Sequence, residues 1–472
     1  MLKKTKIVAT ISDRNCSVDL IKRLYKEGMN VVRLNTAHQT FEDTKKVIDN
    51  VRQVSNNIGI LLDTKGPEIR ITSVEKSFPI NTGDIISIKG KPNTISSLEC
   101  VYVNYEGFVQ DVPLHSHILI DDGYLEFIVI EKNEDALICE AQNDGKIEGK
   151  KSVNVPGVSF KLPSLSAKDI DYVNFAIEQD IDFIAHSFVR NRADVEAIQK
   201  ILDKKNSSIK IIAKIENQEG VDNIDEILEV VYGVMVARGD LAIEIPFERI
   251  PIVQKMLIKK CIAKRKPVIV ATQMLHSMIT NPRPTRAEVT DVADAIYSLT
   301  DAVMLSGETA YGQYPIESVI TMSKIICEIE RTRKDIQNIP SVVLTNERSA
   351  YITKMAVEAA NNLNAKAIIA DSSSGSSIRN MAGFRGSRPI LAFCYQKSII
   401  RQLSLSFGVF AEYIEYQPSS HKFIQMASQS LIDRKRLNPN DLVIMIAGNF
   451  GTDFVKSFIE ISDIGKLTES IE

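Results

Sequence analysis

Hydrophobic positions along this chain keep two alternating rhythms. Short apolar runs recur, and after each the apolar residues return every three or four positions. The runs read as strands and the intervening stretches as amphipathic helices. Residues 6–11 form the first run. Ser17 is placed to cap a helix through Leu20, Ile21 and Leu24 that stops at Gly28. Strands follow at 30–35 and 59–64, with a helix between them capped by Thr40 and carrying Val47, Ile48, Val51 and Val54. From 71 to 155 the rhythm breaks. Runs of Val, Ile, Tyr and Phe are punctuated there by NTGD, DDG and NDG turns, which predicts a small all-β insertion of barrel type.

The βα rhythm resumes after Pro156-Gly157. Ser166-x-x-Asp169 and Thr285-x-x-Glu288 open helices, and Pro315 begins another. Strands are expected at 183–188, 211–216, 233–238, 267–272 and 302–307. Eight strands, each followed by a helix, predict an α/β fold: a (β/α)8 TIM barrel interrupted after its third strand. Beyond a polar linker at 331–349, strands at 367–370, 389–394, 409–414, 441–447 and 457–461 predict a C-terminal α/β domain. The expected division is 1–70 with 156–335 for the barrel, 71–155 for the β-barrel lid, and 340–472 for a domain that could bind effectors.

In a barrel of this kind chemistry sits at the C-terminal strand ends. The residues there include Arg33, Asn35, Asp63, Lys65, Lys214, Glu216, Arg238, Asp240, Thr272 and Glu308. Strand periodicity puts Lys214 and Glu216 on one face. Alone, that pair could be a structural ion pair. So much charge in one mouth favours a site over a stability role. Glu216 and Asp240 are hard oxygen donors suited to Mg²⁺ or Mn²⁺, and Lys214 could neutralise a phosphoryl group in transfer. No P-loop signature occurs. His115 and His117 read as structural or solvated, and His186 could face the mouth. The serine-rich run from Ser372 to Ser377 has two readings, an anion site at a helix start or a solvated loop with a capping serine.

Composition narrows the class further. The chain has 472 residues, 44% hydrophobic and 25% charged, with a net charge of −3. That is ordinary for a multidomain globular protein and gives no electrostatic case for nucleic acid or anionic membrane. The six cysteines are scattered without a Cys-x-x-Cys pair, as expected of reduced thiols. Neither a signal-peptide core nor a membrane-length apolar run is found, so a cytoplasmic enzyme is expected.

Several long motifs resemble pyruvate kinase over essentially the whole chain: NVVRLNTAH (30–38), LDTKGPEIR (62–70), IIAKIEN (211–217), VMVARGD (234–240), ATQML (271–275), NPRPTRAEV (281–289) and MLSGETA (304–310). The resemblance implies transfer of the phosphoryl group of phosphoenolpyruvate to ADP, with Mg²⁺ and K⁺, by a homotetramer. It implies that Lys214 stabilises the group in flight, that Arg33 binds its oxygens, and that Glu216 and Asp240 ligate Mg²⁺. Thr272 and the Gly239 backbone would contact the substrate carboxylate. Asn35, His38, Arg70 and Lys151 match nucleotide positions, and Asn35, Asp63 and Thr64 match the K⁺ site. Ala37 departs from the family, which has a serine ligand for K⁺ there. Ala242 stands where glycine is usual, and the loop at 448–454 lacks the arginine of the usual effector loop. Two alternatives are a Mg²⁺-dependent aldolase or lyase acting through a pyruvate enolate, and a catalytically silent effector-binding paralogue.

Overall fold

The computed structural model describes residues 2–37, 39–332, 348–417, 419–448 and 457–468. Parallel strands Lys6–Thr10, Val31–Asn35, Gly59–Asp63, Phe183–His186, Lys210–Ile215, Gly233–Ala237, Val268–Ala271 and Ala302–Leu305 close into a barrel in sequence order. The last strand pairs back onto the first, with Ala302 opposite Lys6. The helix starts follow the chemistry expected of them. Ser17 Oγ accepts the Leu20 amide at 3.2 Å, and Thr40/Asp43, Ser166/Asp169 and Thr285/Glu288 form capping boxes that satisfy otherwise orphaned amides.

Alternation along each strand builds two cores. Val8, Val31, Leu61, Phe183, Ala185, Ile212 and Met235 fill the barrel interior. Their neighbours Ile7, Val32, Ile60, Ile184, Ile211 and Val234 pack outward against the helices. The inward parity continues through Arg33, Asp63 and Lys214 to the strand ends, so charge emerges where the apolar interior stops.

Between the third and fourth barrel strands lies a six-stranded sheet with its own apolar core. Its edge strands are Val153–Asn154 and Cys100–Val103. Arg70 bridges to Ser152 and Ile71 to Val103, so one short strap touches both edges. A helix at Phe108–Asp111, not expected from the sequence, is too short for a helical period to register.

Among the described residues five strands follow the barrel, ordered Val409–Tyr413, Ile390–Cys394, Ala367–Ser372, Leu442–Gly448 and Ser457–Asp463, with only the last antiparallel. This unit docks on the N-terminal end of the barrel, away from the charged mouth. Leu405 enters the interior core, Arg401 Nε donates to Asp182 at 2.5 Å, and Arg385 pairs with buried Asp301. Most of the expected linker at 331–349 and of the loop at 448–454 lies outside the described residues.

Candidate active site

The second, third and fifth strands supply the centre of the site. Arg33 Nε bonds Asp63 Oδ2 at 2.6 Å and its Nη1 donates to Thr10 Oγ1 at 3.1 Å. Lys214 Nζ lies 2.9 Å from Glu216 Oε1 and 3.2 Å from Asp63 Oδ1, and donates to Ser187 Oγ at 2.7 Å. Burial opposes the Lys214 charge, but Asp63 and Glu216 outweigh it and hold its pKa above the ordinary value. Burial also opposes the Asp63 charge, and there Lys214 and Arg33 prevail, so its carboxyl stays low. Glu216 goes the other way. Burial pushes it up to about 7 against Lys214, and nearby Asp240 adds to the rise. Of the two acids beside Lys214, Asp63 is held toward the ionised form and Glu216 is pushed away from it. The Phe188 amide donates to Glu216 Oε2 at 2.7 Å, which pins the carboxyl in place.

The sixth strand ends at Ala237, and Arg238–Glu244 is already helical. Gly239 and Asp240 thus stand in the first turn of a short helix rather than on the strand. Burial raises the Asp240 pKa against the pull of Lys214, and both Asp240 and Glu216 line the same cleft. Thr272 has φ +69°, a left-handed conformation costly for a β-branched residue. That backbone turns its Oγ1 to accept the Gly239 amide at 2.8 Å and to donate to the Ala271 carbonyl at 2.6 Å.

Three mouth assignments need correction. Arg238 turns away to Asp291 at 2.6 Å and the Thr272 carbonyl at 2.6 Å. Glu308 accepts the Leu275 and Ser306 amides and braces loops. His186 shares the outward parity of Ile184, is fully buried, and has its pKa lowered by burial to about 4. For Arg238 and Glu308 a strand end fixes where the side chain starts, but the loop beyond it decides where the side chain goes; for His186 the parity of the strand itself points the ring away from the mouth.

A cleft of about 570 Å³ is lined by Arg33, Asn35, Asp63, Thr64, Lys214, Glu216 and Asp240, together with Arg70 and Lys150 from the β-insertion side. A second, of about 910 Å³, holds Arg70, Lys151, Asp240 and Glu244. Lys151 therefore lines only the second cleft. It is tied to Asp121 at 2.9 Å, and Arg70 to Glu68 at 2.7 Å. His38 lies outside the described residues. Asn35 Oδ1 accepts the Ala37 amide, and the Thr36 hydroxyl is used on the Asp63 carbonyl at 2.8 Å. Glu216 and Asp240 carry hard oxygens of the kind a divalent cation takes, and Asn35, Asp63 and the Thr64 carbonyl carry oxygens of the kind a monovalent cation takes.

Sequence reasoning missed two residues. Asp169, seen only as a cap, also accepts the Lys65 and Gly66 amides and so holds the third-strand loop. Ser187 touches Lys214; its inward parity with Ala185 was the available signal.

Family profiles described as the pyruvate kinase barrel domain and the pyruvate kinase alpha/beta domain match residues 2–319 and 350–457. The chain belongs to the pyruvate kinase family. It is 47% identical to the pyruvate kinase of Borreliella burgdorferi over 469 residues, covering 98% of both chains. Against the pyruvate kinase of Bacillus licheniformis it is 44% identical over 98% of this chain and 81% of that one. A crystal structure of a pyruvate kinase from Cryptosporidium parvum superposes with a TM-score of 0.91 at 36% identity, covering 97% of this chain and 96% of the other. Barrel, all-β insertion and C-terminal α/β unit accord with that family, and neither the lyase nor the silent-paralogue alternative gains support.

Proposed function

We propose that this chain transfers the phosphoryl group of phosphoenolpyruvate to ADP. The bond from phosphorus to the enol oxygen breaks, a bond to the terminal ADP oxygen forms, and the enolate carbon takes a proton to give pyruvate and ATP. The observation that carries the reading is the Lys214 ammonium, buried at the barrel mouth beside Arg33 and between two acids. Phosphoryl transfer asks for positioned positive charge rather than covalent chemistry, and this pair supplies it.

Lys214 meets the phosphoryl group in flight and Arg33 binds its oxygens. The substrate carboxylate approaches the Gly239 amide, which then exchanges its Thr272 partner, and Thr272 lies beside the carbon that is protonated. Glu216 and Asp240 would hold Mg²⁺ or Mn²⁺, and Asn35, Asp63 and the Thr64 carbonyl would hold K⁺. Each cation, when bound, adds positive charge near the transferring group. Arg70 and Lys151 contact the nucleotide after leaving Glu68 and Asp121. Asn35 and His38 belong to the same nucleotide set.

Three further features belong with this chemistry. The first is a homotetramer in the cytoplasm; no described helix is long and apolar enough to cross a membrane. The second is the division at 70/71, 155/156 and 335–340. The third is a C-terminal domain that could bind effectors, in which Ser372 to Ser377 is either an anion site or a capped loop. Ser372 Oγ there accepts the Gly375 amide at 2.8 Å ahead of a helix at Ser376–Gly383.

The test is pyruvate formation from phosphoenolpyruvate with and without ADP. Strict ADP dependence with equal ATP yield is expected. Pyruvate released without ADP would mean transfer of the phosphoryl group to water, and none under either condition would point to the lyase or the silent paralogue.

A further inference from the structure

Ser187 follows the fourth barrel strand and continues the inward parity of Phe183 and Ala185. It is 1% exposed. Its hydroxyl accepts from Lys214 Nζ at 2.7 Å, donates to the Thr64 carbonyl at 2.7 Å, and lies 3.3 Å from Asp63 Oδ1. The backbone repeats the tie. The Ser187 amide donates to Thr64 Oγ1 at 3.1 Å, and the Thr64 amide donates to the Ala185 carbonyl at 3.0 Å. A serine hydroxyl has one proton to give. With that proton on the shorter bond, to Thr64, its lone pairs are left facing the ammonium.

An ammonium has three protons. Here they meet Asp63, Glu216 and Ser187. These acceptors differ in kind. The two acids attract the ammonium through charge, and whatever charge they carry offsets the field that a phosphoryl group would feel. Ser187 is neutral, so it fixes the ammonium in place and leaves that field intact.

We propose that Ser187 is a positioning residue of the phosphoryl-transfer site: anchored on Thr64, its hydroxyl aims the Lys214 ammonium at the transferring group. The proposal rests on the phosphotransferase reading and extends it to a residue that carries no charge.

The test is a mutant cycle on the full chain, with thermal midpoints measured for every variant. Ser187→Ala is expected to lower kcat by about 10- to 100-fold, the scale of a hydrogen bond to a charged group, while KM for phosphoenolpyruvate changes little. In a Lys214→Met background the same change should alter kcat by less than about twofold, because the group it positions is gone. Ser187→Cys keeps nearly the same shape with a poor acceptor, so it should lower kcat in the same direction and stands in if the alanine variant does not fold. Near-parent kcat in the folded variants overturns the proposal. So does an equal loss in both backgrounds, or loss of fold in both variants, since each marks a purely structural role. A parent that makes no pyruvate from phosphoenolpyruvate and ADP overturns the phosphotransferase reading instead, and the parent assay reveals that separately.

Discussion

Replacing Lys214 with Met removes the one ammonium that both acids face while keeping a long apolar side chain. The size of the effect follows from where the charge sits. The Lys214 side chain is 11% exposed, so water screens it weakly. A unit charge about 4 Å away at an effective dielectric near 20 interacts by roughly 4 kcal/mol. Only the charge that grows between ground and transition state counts toward kcat, so about 3–4 kcal/mol is an upper figure, or roughly 100- to 1,000-fold. The substrate is also held by Arg33 and Gly239 in this reading, so KM should move far less than kcat. The vacated space leaves Asp63 paired only with Arg33, and Glu216 loses the charge that holds its pKa down. The assay is steady-state pyruvate production at saturating ADP, Mg²⁺ and K⁺, with phosphoenolpyruvate varied. A Lys214→Met enzyme with near-parent kcat, or one that loses only affinity, refutes the assignment.

The remaining predictions concern the cations and the effector. Glu216→Gln and Asp240→Asn should each raise the Mg²⁺ concentration for half activity by at least about tenfold; superimposable Mg²⁺ titrations would move the metal site elsewhere. Without Mg²⁺, folded Glu216 keeps its proton up to about pH 7 against an ordinary value of 4.5. Its contribution to stability is therefore full below about 4.5 and is lost as pH rises through about 7, and a chelator-treated Glu216→Gln variant should show a flatter melting profile over that window. K⁺ should be required. Ala37→Ser should lower the half-activating K⁺ concentration by up to about 30-fold, the equivalent of the roughly 2 kcal/mol a bridging water can cost, and Glu68→Lys should reduce the requirement. Full parent activity without K⁺ or NH₄⁺ refutes the K⁺ site, and an unchanged titration in Ala37→Ser refutes only the missing-ligand argument. Fructose 1,6-bisphosphate should not activate strongly, because a bisphosphate wants a second cationic contact beyond the serine-rich loop; a large fall in half-saturating phosphoenolpyruvate on its addition overturns this.

Period and punctuation carried most of the architecture. The eight barrel strands, the β-rich interruption after the third and the five C-terminal strands are written in apolar runs, and in the barrel neighbours in sequence are neighbours in space. Caps at Ser17, Thr40, Ser166 and Thr285 are local, so three or four residues determine them. The shared face of Lys214 and Glu216 follows from strand geometry alone. What the sequence could not decide is where side chains turn once a strand ends. Arg238 and Glu308 stood at the right positions and yet turn to Asp291 and to loop amides. Such outcomes depend on partners tens of residues away, as Asp291 is from Arg238 and Leu275 from Glu308, or on a backbone angle such as the φ +69° at Thr272. Charge states are tertiary in the same way. Asp63 and Glu216 are both carboxyls against the same lysine, and only burial together with the placing of Arg33 and Asp240 drives one down and the other up.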